Sequence, residues 1–225
     1  MARSAASPPL EGQKTTERIL DAAENLFSEY GFAGTAIRDI ASEVSLNPAS
    51  LYNHFDGKES LYEAVLERVL QPIFLFIERS AGTTWTEAEA ERTITLIMEY
   101  LKANPNLARL LCHESLAGGN HMRRIIGQTM RPLVADGIAA LRRGPAEESW
   151  SEDELPMVFS AFIHLIVGHF VLAPVLSAAM DTDGLTPEAT DRQTTFLHKV
   201  TKRLLLPYPD PSATSDADAP TTEGN

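Results

Sequence analysis

Hydrophobic residues recur every three or four positions along most of this chain, which is the spacing that places them on one face of an α-helix. The first such segment begins near Thr15 or Thr16 and ends at Gly31, where a left-handed backbone favours glycine. Its apolar face consists of Ile19, Ala22, Ala23, Leu26 and Phe27. Strand-like alternation is scarce and no βαβ pattern is found, so the sequence predicts an all-α protein.

Two shorter helices follow the first one at close intervals. Thr35 is a candidate N-cap for the second helix, and residues 45–46 leave room only for a tight turn after it. The inward positions of this second helix are Ile37, Ile40, Ala41 and Val44. Asn47 is expected to cap a third helix over residues 47–55, with Pro48 at the first helical position, where the missing N–H costs nothing.

A fourth helix is predicted to start where Asp56 and Glu59 stand at capping-box spacing. Three helices joined by turns of three or four residues, two of them crossing steeply, define a helix-turn-helix. Periodicity alone does not distinguish this unit from another small helical bundle. The pattern therefore predicts an N-terminal three-helix domain over residues 14–60 and leaves its function open.

The rest of the chain is predicted to form a second helical domain over residues 61–206. Helices are expected over 59–79, 87–103, 106–117, 121–143, 152–179 and 187–205, separated by Gly-, Asn- or Pro-containing segments. Residues 1–13 and the acidic segment 207–225 contain too few apolar side chains to offset the entropy of ordering. Both ends are therefore predicted to be disordered.

One segment raises the alternative of a membrane span, because residues 156–180 contain no Asp, Glu, Lys or Arg. The segment carries His164, His169 and Pro174, its N-terminal flank is acidic, and no Lys/Arg cluster marks a cytoplasmic side. These features favour a buried or interface helix over a membrane span, so no membrane partner is expected.

The formal net charge of −12 argues against a protein that coats nucleic acid without selectivity. Residues 1–60 also carry nine acidic side chains against five basic ones. A selective binder can still work if its few cations and helix N-termini face phosphates, so only a modest dependence of binding on salt is expected.

Other chemistry finds little support in the sequence. No G-x-S-x-G, phosphate-binding loop or H-E-x-x-H motif and no paired carboxylates in a plausible pocket are present, so no catalytic residues and no enzyme activity are predicted. The histidines lack i, i+4 pairs, which predicts no metal and no cofactor. The single Cys112 and the lack of a leader sequence indicate a cytoplasmic protein.

Residues 16–66 resemble the DNA-binding domain of the TetR family. Three motifs carry the resemblance, in the correct order and with the correct gaps. They are the A-x-x-L-F-x-x-x-G-[FY] run of Ala23, Leu26, Phe27, Gly31 and Phe32, the T-x-x-[RD]-I-A run of Thr35, Ile40 and Ala41, and the L-Y-x-H-F-x-x-K-E run of Leu51, Tyr52, His54, Phe55, Lys58 and Glu59. Beyond Leu66 the resemblance is only architectural.

The resemblance implies that the helix from Asn47 lies in the major groove of operator DNA. Pro48, Ala49 and Asn53 would face base edges, while Thr35, Arg38, Ser50, Tyr52, His54 and Lys58 would face phosphates. Ala36 stands where family members often carry Ser or Thr, which puts one expected phosphate contact in doubt, and Ser45 stands where Gly is common. Simpler alternatives stay open for three residues. His54 could cap or brace the turn, Tyr52 could be a partly buried packing residue, and Lys58 could be only a solvated charge.

The resemblance also implies a small-molecule effector and a homodimer. The effector pocket would be lined by residues from several helices, namely Trp85, Leu107, Leu111, His113, Ser115, Phe159, Phe162 and Ile163. The last two long helices would form a four-helix bundle with those of the partner, through Ala161, His164, Leu165, Gly168, His169, Leu172, Phe196, Leu197, Val200 and Leu204. The predicted function is a repressor that the effector releases from a palindromic operator; an activator and a protein-binding adaptor without DNA contact are the alternatives.

Overall fold

The computed structural model describes residues 11–81, 86–125, 127, 131–142 and 150–205. Within these ranges the chain is helical and contains no strand, as the periodicity predicts. The helices are α1 (Glu11–Gly34), α2 (Ile37–Glu43), α3 (Pro48–Leu51), α4 (Lys58–Ala81), α5 (Glu87–Ala103), α6 (Pro105–Leu116), α7 (Asn120–Ile125), α8 (Arg131–Arg142), α9 (Leu155–Met180) and α10 (Pro187–Leu205).

The first helix begins earlier than its apolar pattern indicates. Residues 11–13, predicted as part of a disordered arm, form the first turn of α1, and the Thr16 hydroxyl donates to the Gly12 carbonyl at 3.0 Å. Gly31 interrupts α1 with φ 70° and ψ 175°. A side chain at this position would place its Cβ only 2.9 Å from Nδ1 of His113 in α6. Conformation and close packing therefore both require glycine here.

The α2 and α3 helices form the predicted helix-turn-helix, with two local corrections. Ala36, not Thr35, is the N-cap of α2, because the Thr35 side chain turns inward. The third helix is also shorter than the predicted span 47–55: α-helix covers only Pro48–Leu51, and turns continue as far as His54. Asn47 caps α3 as predicted, since its side-chain oxygen accepts from the Ala49 N–H at 2.9 Å.

The fourth helix begins without the predicted capping box. It starts at Lys58 with Leu61 N–H bonded to the Gly57 carbonyl, and the Ser60 hydroxyl also donates to that carbonyl. No hydrogen bond joins Asp56 to Glu59 among the contacts of the described residues. Gly57 is therefore the N-cap residue, because its carbonyl accepts the first hydrogen bond of the helix, and Asp56 lies one residue before it.

The N-terminal domain is joined to the C-terminal domain by packing and by polar contacts. Arg68 of α4 lies against three carboxylates of α1, at 3.6 Å from Glu17, 2.8 Å from Asp21 and 2.5 Å from Glu24. Asn106 of α6 donates to Glu24 and to Asn25 and accepts from the Ser28 hydroxyl. Helices α4 and α6 of the C-terminal domain therefore both contact α1 through polar side chains.

A buried carboxylate ties α6 to α7. Glu114 is almost fully buried and accepts from Nδ1 of His121 and from the Met122 N–H, both at 3.1 Å. The His121 ring packs against Phe32 and Tyr62, with centroids 4.6 and 5.1 Å away. Burial and the charge of Glu114 raise the pKa of the Tyr62 phenol far above its usual value, so this phenol stays neutral.

Every described residue of the helix predicted over 121–143 is helical. The α7 helix ends at Ile125, α8 covers Arg131–Arg142, and most of the intervening residues lie outside the described ranges. The predicted disordered tail, 207–225, also lies outside them. The other predicted helices of the C-terminal domain agree with the structure to within three residues.

In the part of the chain that the structure describes, α9 alone has the length and apolar composition to cross a membrane. This helix packs against α6, α8 and α10 of its own chain. Only 22% of its most apolar window is buried there. Most residues of this uncharged helix are thus exposed or only partly buried in this chain.

Candidate nucleic-acid interface

The α3 helix and the turn after it present a row of exposed side chains. Pro48, Ala49 and Asn53 are exposed, and Tyr52 is 56% exposed although it is a large aromatic residue. On the opposite side, Leu51 is buried in the core. One face of α3 is thus buried in the core and the other is exposed to solvent, as is required of a helix that enters a DNA groove.

Two hydrogen bonds from α1 fix the position of this surface. Thr16 Oγ1 lies 2.9 Å from Nδ1 of His54, just after α3, and Arg18 donates to the Val44 carbonyl at 2.8 Å, at the end of α2. The alternative that His54 braces the turn therefore agrees with its contacts. The roles of Thr16 and Arg18 were not predicted, because neither lies in the apolar pattern and both partners are distant in sequence.

Two cations border the α3 surface. Arg38 of α2 is highly exposed and pairs with the adjacent Asp39, at 3.4 Å. Lys58, at the start of α4, is half-buried with Nζ 4.4 Å from the centroid of the Phe32 ring. This cation–π contact restrains the ammonium group, so Lys58 is not simply a solvated charge.

Two other predicted contacts have polar groups already engaged in the fold, and a third is half-buried. The hydroxyl of buried Thr35 donates to the Gly31 and Leu26 carbonyls at 2.9 and 3.1 Å, so its predicted phosphate contact is not available in this conformation. The Asn47 oxygen caps α3, and Ser50 is half-buried. Buried hydroxyls find internal partners, which explains why Thr35 turns inward.

The acidic residues of the N-terminal domain are not spread evenly around α3. Glu17, Asp21 and Glu24 lie on the side of α1 that faces α4, where Arg68 pairs with them. An ion pair cancels much of each charge at a distance. The negative balance of residues 1–60 therefore overstates the negative potential near α3.

The predicted effector residues divide into two groups. Phe159, Phe162 and Ile163 of α9 line one cavity, together with side chains from α4, α5 and α10 that the sequence did not single out. On α6, by contrast, Leu107 is fully buried core, His113 packs on Gly31, and the Ser115 hydroxyl donates to the carbonyl of Leu111, which packs on the core. The structure therefore does not bring the α6 group into this cavity. Trp85 lies outside the described residues.

The predicted dimer residues are all exposed or partly buried, with one exception. His164, Leu172 and Phe196 are exposed, and Ala161, Leu165, Gly168, His169, Val200 and Leu204 are partly buried. Burial lowers the pKa of His169, which keeps this imidazole neutral near pH 7. Leu197 is fully buried in its own chain, so its prediction as a dimer contact is wrong.

Exposed apolar residues run along α9 at helical spacing. Met157, Leu172 and Val175 are exposed, and the small residues Ala161 and Gly168 and the exposed His164 lie between them. Spacings of three and four residues place these side chains on one stripe. Contiguous exposed apolar surface of this kind is typical of an interaction site.

No group of three or more His, Cys, Asp and Glu side chains within the described ranges could hold a metal ion. Cys112 of α6 is a free, half-buried cysteine. It lies beside Phe170, Val171 and Pro174 of α9 in a shallow apolar cleft.

Fold and surface together define a helix-turn-helix protein with a helical C-terminal domain. The family described as "Bacterial regulatory proteins, tetR family" matches residues 19–65, and the one described as "Tetracyclin repressor-like, C-terminal domain" matches residues 87–200, half of the chain. The chain therefore belongs to the TetR family of bacterial regulatory proteins.

Individual relatives agree with this membership. The HTH-type transcriptional repressor NicS of Pseudomonas putida is 29% identical over 136 residues, 59% of this chain and 62% of NicS. The HTH-type transcriptional regulator RutR of Escherichia coli K12 is 36% identical over 127 residues, 55% of this chain and 58% of RutR. The chain thus spans about three fifths of the length of these curated relatives.

A solved structure supports the fold. The TetR-family transcriptional regulator PfmR from Thermus thermophilus aligns with a TM-score of 0.61 at 20% identity. The alignment covers 83% of this chain and 97% of PfmR. Both domains therefore share one architecture with a family member of low sequence identity.

Proposed function

We propose that this protein is a homodimeric, cytoplasmic transcription repressor that binds operator DNA through α3 and is released by a small-molecule effector. The single observation that carries the proposal is the exposed face of α3, held in place from α1 on a family-typical helix-turn-helix. The names of NicS, a repressor, and RutR, a regulator, favour regulation of transcription.

In the proposed complex, the start of α3 meets base edges in the major groove. Pro48 and Ala49 are exposed and suited to contact a thymine methyl group, and Asn53 is suited to pair with adenine through two hydrogen bonds. Tyr52, Arg38 and Lys58 lie around this centre and would bind phosphates. Base contacts would then determine which DNA sequence is bound, and phosphate contacts would fix the position of the protein on the duplex.

The apolar stripe on α9 supports the homodimer. A second copy that packed its own α9 and α10 against this stripe would bury the exposed Leu172, Val175 and Phe196. A twofold axis would place two α3 helices about one DNA turn apart, ~34–36 Å. The operator would then be a palindrome, and α9 would be an interface helix instead of a membrane span.

Release by an effector requires that the effector prefer the arrangement unable to bind DNA. The contacts of α1 with Arg68 and Asn106 offer a route, since a displacement of α4 or α6 moves the whole N-terminal domain. By linkage, the effector must lower DNA affinity by the factor by which DNA lowers effector affinity. An activator would use the same contacts and would differ in a reporter assay.

One observation favours a rival function, a protein-binding adaptor without DNA contact: acidic side chains outnumber basic ones in residues 1–60. A gel-shift titration with the DNA upstream of the gene, at low and high salt, separates the two. We expect a discrete complex that persists at moderate salt, because base contacts are retained when counterions compete. Binding that disappears uniformly, or never forms, would support the adaptor.

A further inference from the structure

A small cavity lies between four helices of the C-terminal domain. It has a volume of about 70 Å³ and is lined by Ile77 of α4, by Ala90, Thr93, Ile94 and Ile97 of α5, by Phe159, Phe162, Ile163 and Ile166 of α9, and by Thr201 of α10. Ile163 is 41% exposed and therefore lies at the mouth of the cavity. The other α9 side chains reach inward from there.

The lining is almost entirely hydrocarbon. No Asp, Glu, Lys, Arg or His is among these ten residues, and the only polar side chains are the two threonines. The Thr201 hydroxyl is committed to the Leu197 carbonyl at 2.8 Å. A charged group entering this space would lose its hydration without gaining a partner, whereas an apolar group would gain dispersion contacts.

We propose that this cavity is the effector site and that it takes a small, uncharged molecule through its apolar part. This inference rests on the proposed function, since it names the chemistry of the ligand that releases the DNA. An engineered apolar cavity of about 150 Å³ holds benzene or xenon and stays dry. The present cavity is about half that size, so it accepts an atom-sized group directly and a ring when Ile163 moves outward.

The cavity lies between α4, which leads to the N-terminal domain, and the proposed dimer helices α9 and α10. Ile77 belongs to α4, the helix that starts at the candidate phosphate-binding residue Lys58. Phe159 and Thr201 belong to α9 and α10, the proposed dimer helices. A ligand that separates α4 from this pair alters the distance between the two N-terminal domains of a dimer.

Xenon and benzene are suitable probes, with benzoate as the charged counterpart of benzene. Added to the full chain at ten times its Kd, benzene should raise Tm by roughly 3–5 °C, while benzoate should not. Xenon should show saturable exchange by NMR. Benzene should also weaken the gel-shift complex, and DNA should weaken benzene binding by the same factor.

Two variants fill the cavity from different sides. Ala90→Leu fills it from α5, and Ile163→Trp fills its mouth, where exposure lowers the risk of misfolding. Leu96→Trp is the matched control, because Leu96 is 39% exposed and lines a different cleft. Both filling variants should lose the Tm shift with benzene, and the control should keep it.

Each contrary outcome overturns a defined part of the proposal. If benzene and xenon do not bind the parent, or bind equally to both filled variants, the site is refuted. If they bind in the cavity and leave DNA affinity unchanged, its role as effector site is refuted. If the protein binds no DNA at all, the proposed function fails, whereas the Tm comparison still decides whether the cavity is a site.

Discussion

The Tyr52→Ala, Lys58→Ala double variant should bind operator DNA on the order of 100-fold more weakly than the parent while keeping its fold. A dimer would lose four phosphate contacts, each worth about 0.5–1.5 kcal/mol. Tyr52 is exposed and Lys58 contacts the face of Phe32, so the core loses little. Fluorescence anisotropy with labelled DNA measures the affinity, and thermal unfolding measures the fold.

The salt dependence of DNA binding distinguishes the loss of phosphate contacts from general damage to the fold. Because two lysines are lost per dimer, the slope of log K against log salt should become shallower by about two. The control is Tyr30→Ala, Lys202→Ala: Tyr30 is 54% exposed, close to Tyr52, and Lys202 is an exposed lysine of α10. If the Tyr52→Ala, Lys58→Ala variant binds DNA as tightly as the parent, this surface is not the DNA-binding site.

Leu172→Asp should convert the protein from a dimer to a monomer and abolish tight operator binding. Leu172 lies on the exposed apolar stripe of α9, and a twofold interface would bury the new carboxylate twice, close to its copy. An unpaired buried charge costs several kcal/mol, so the dimer Kd should rise by at least about 1,000-fold. Analytical ultracentrifugation measures the change.

Leu116→Asp is the matched control for this prediction. Leu116 is also an exposed leucine, but it lies at the end of α6 and is not part of the apolar stripe of α9. It should leave both the dimer and DNA binding unchanged. A Leu172→Asp protein that still sediments as a dimer would show that the partner covers another face.

The helix-turn-helix was predictable because its signals are local. Asn47 caps α3 through a hydrogen bond two residues away, Pro48 follows it, and the apolar positions of α1 all lie within nine residues. Gly31 was expected at a break and has the positive φ that glycine allows. Local signals therefore predicted the helix-turn-helix within residues 19–65, which the family also matches, although the N-cap of α2 and the length of α3 differ from the prediction.

The errors arose where distant residues compete with local patterns. Thr35 is well placed to cap α2, yet its hydroxyl bonds to carbonyls of α1, and Ala36 takes the cap position. Leu197 fits an apolar stripe on α10 that was expected to face a partner, but it is buried in its own chain. Periodicity identifies an apolar face and does not say which neighbour covers it.

The cavity is a second case in which periodicity does not identify the neighbouring helices. Phe159, Phe162 and Ile163 were expected near a ligand, and they do share a cavity. Their neighbours come from α4, α5 and α10 instead of α6, because the crossing of four helices decides which side chains meet. Such crossings depend on tertiary packing, which spacing along one helix does not encode.

The central claim is that α3 reads base edges as one half of a twofold pair. Selecting bound sequences from a random DNA pool with the purified full chain tests it most directly. The enriched sequence should be a palindrome whose half-sites are centred about 10 bp apart, and the Asn53→Ala variant should lose its preference at one position per half-site. A pool that shows no enriched sequence, or an unchanged preference without Asn53, would contradict it.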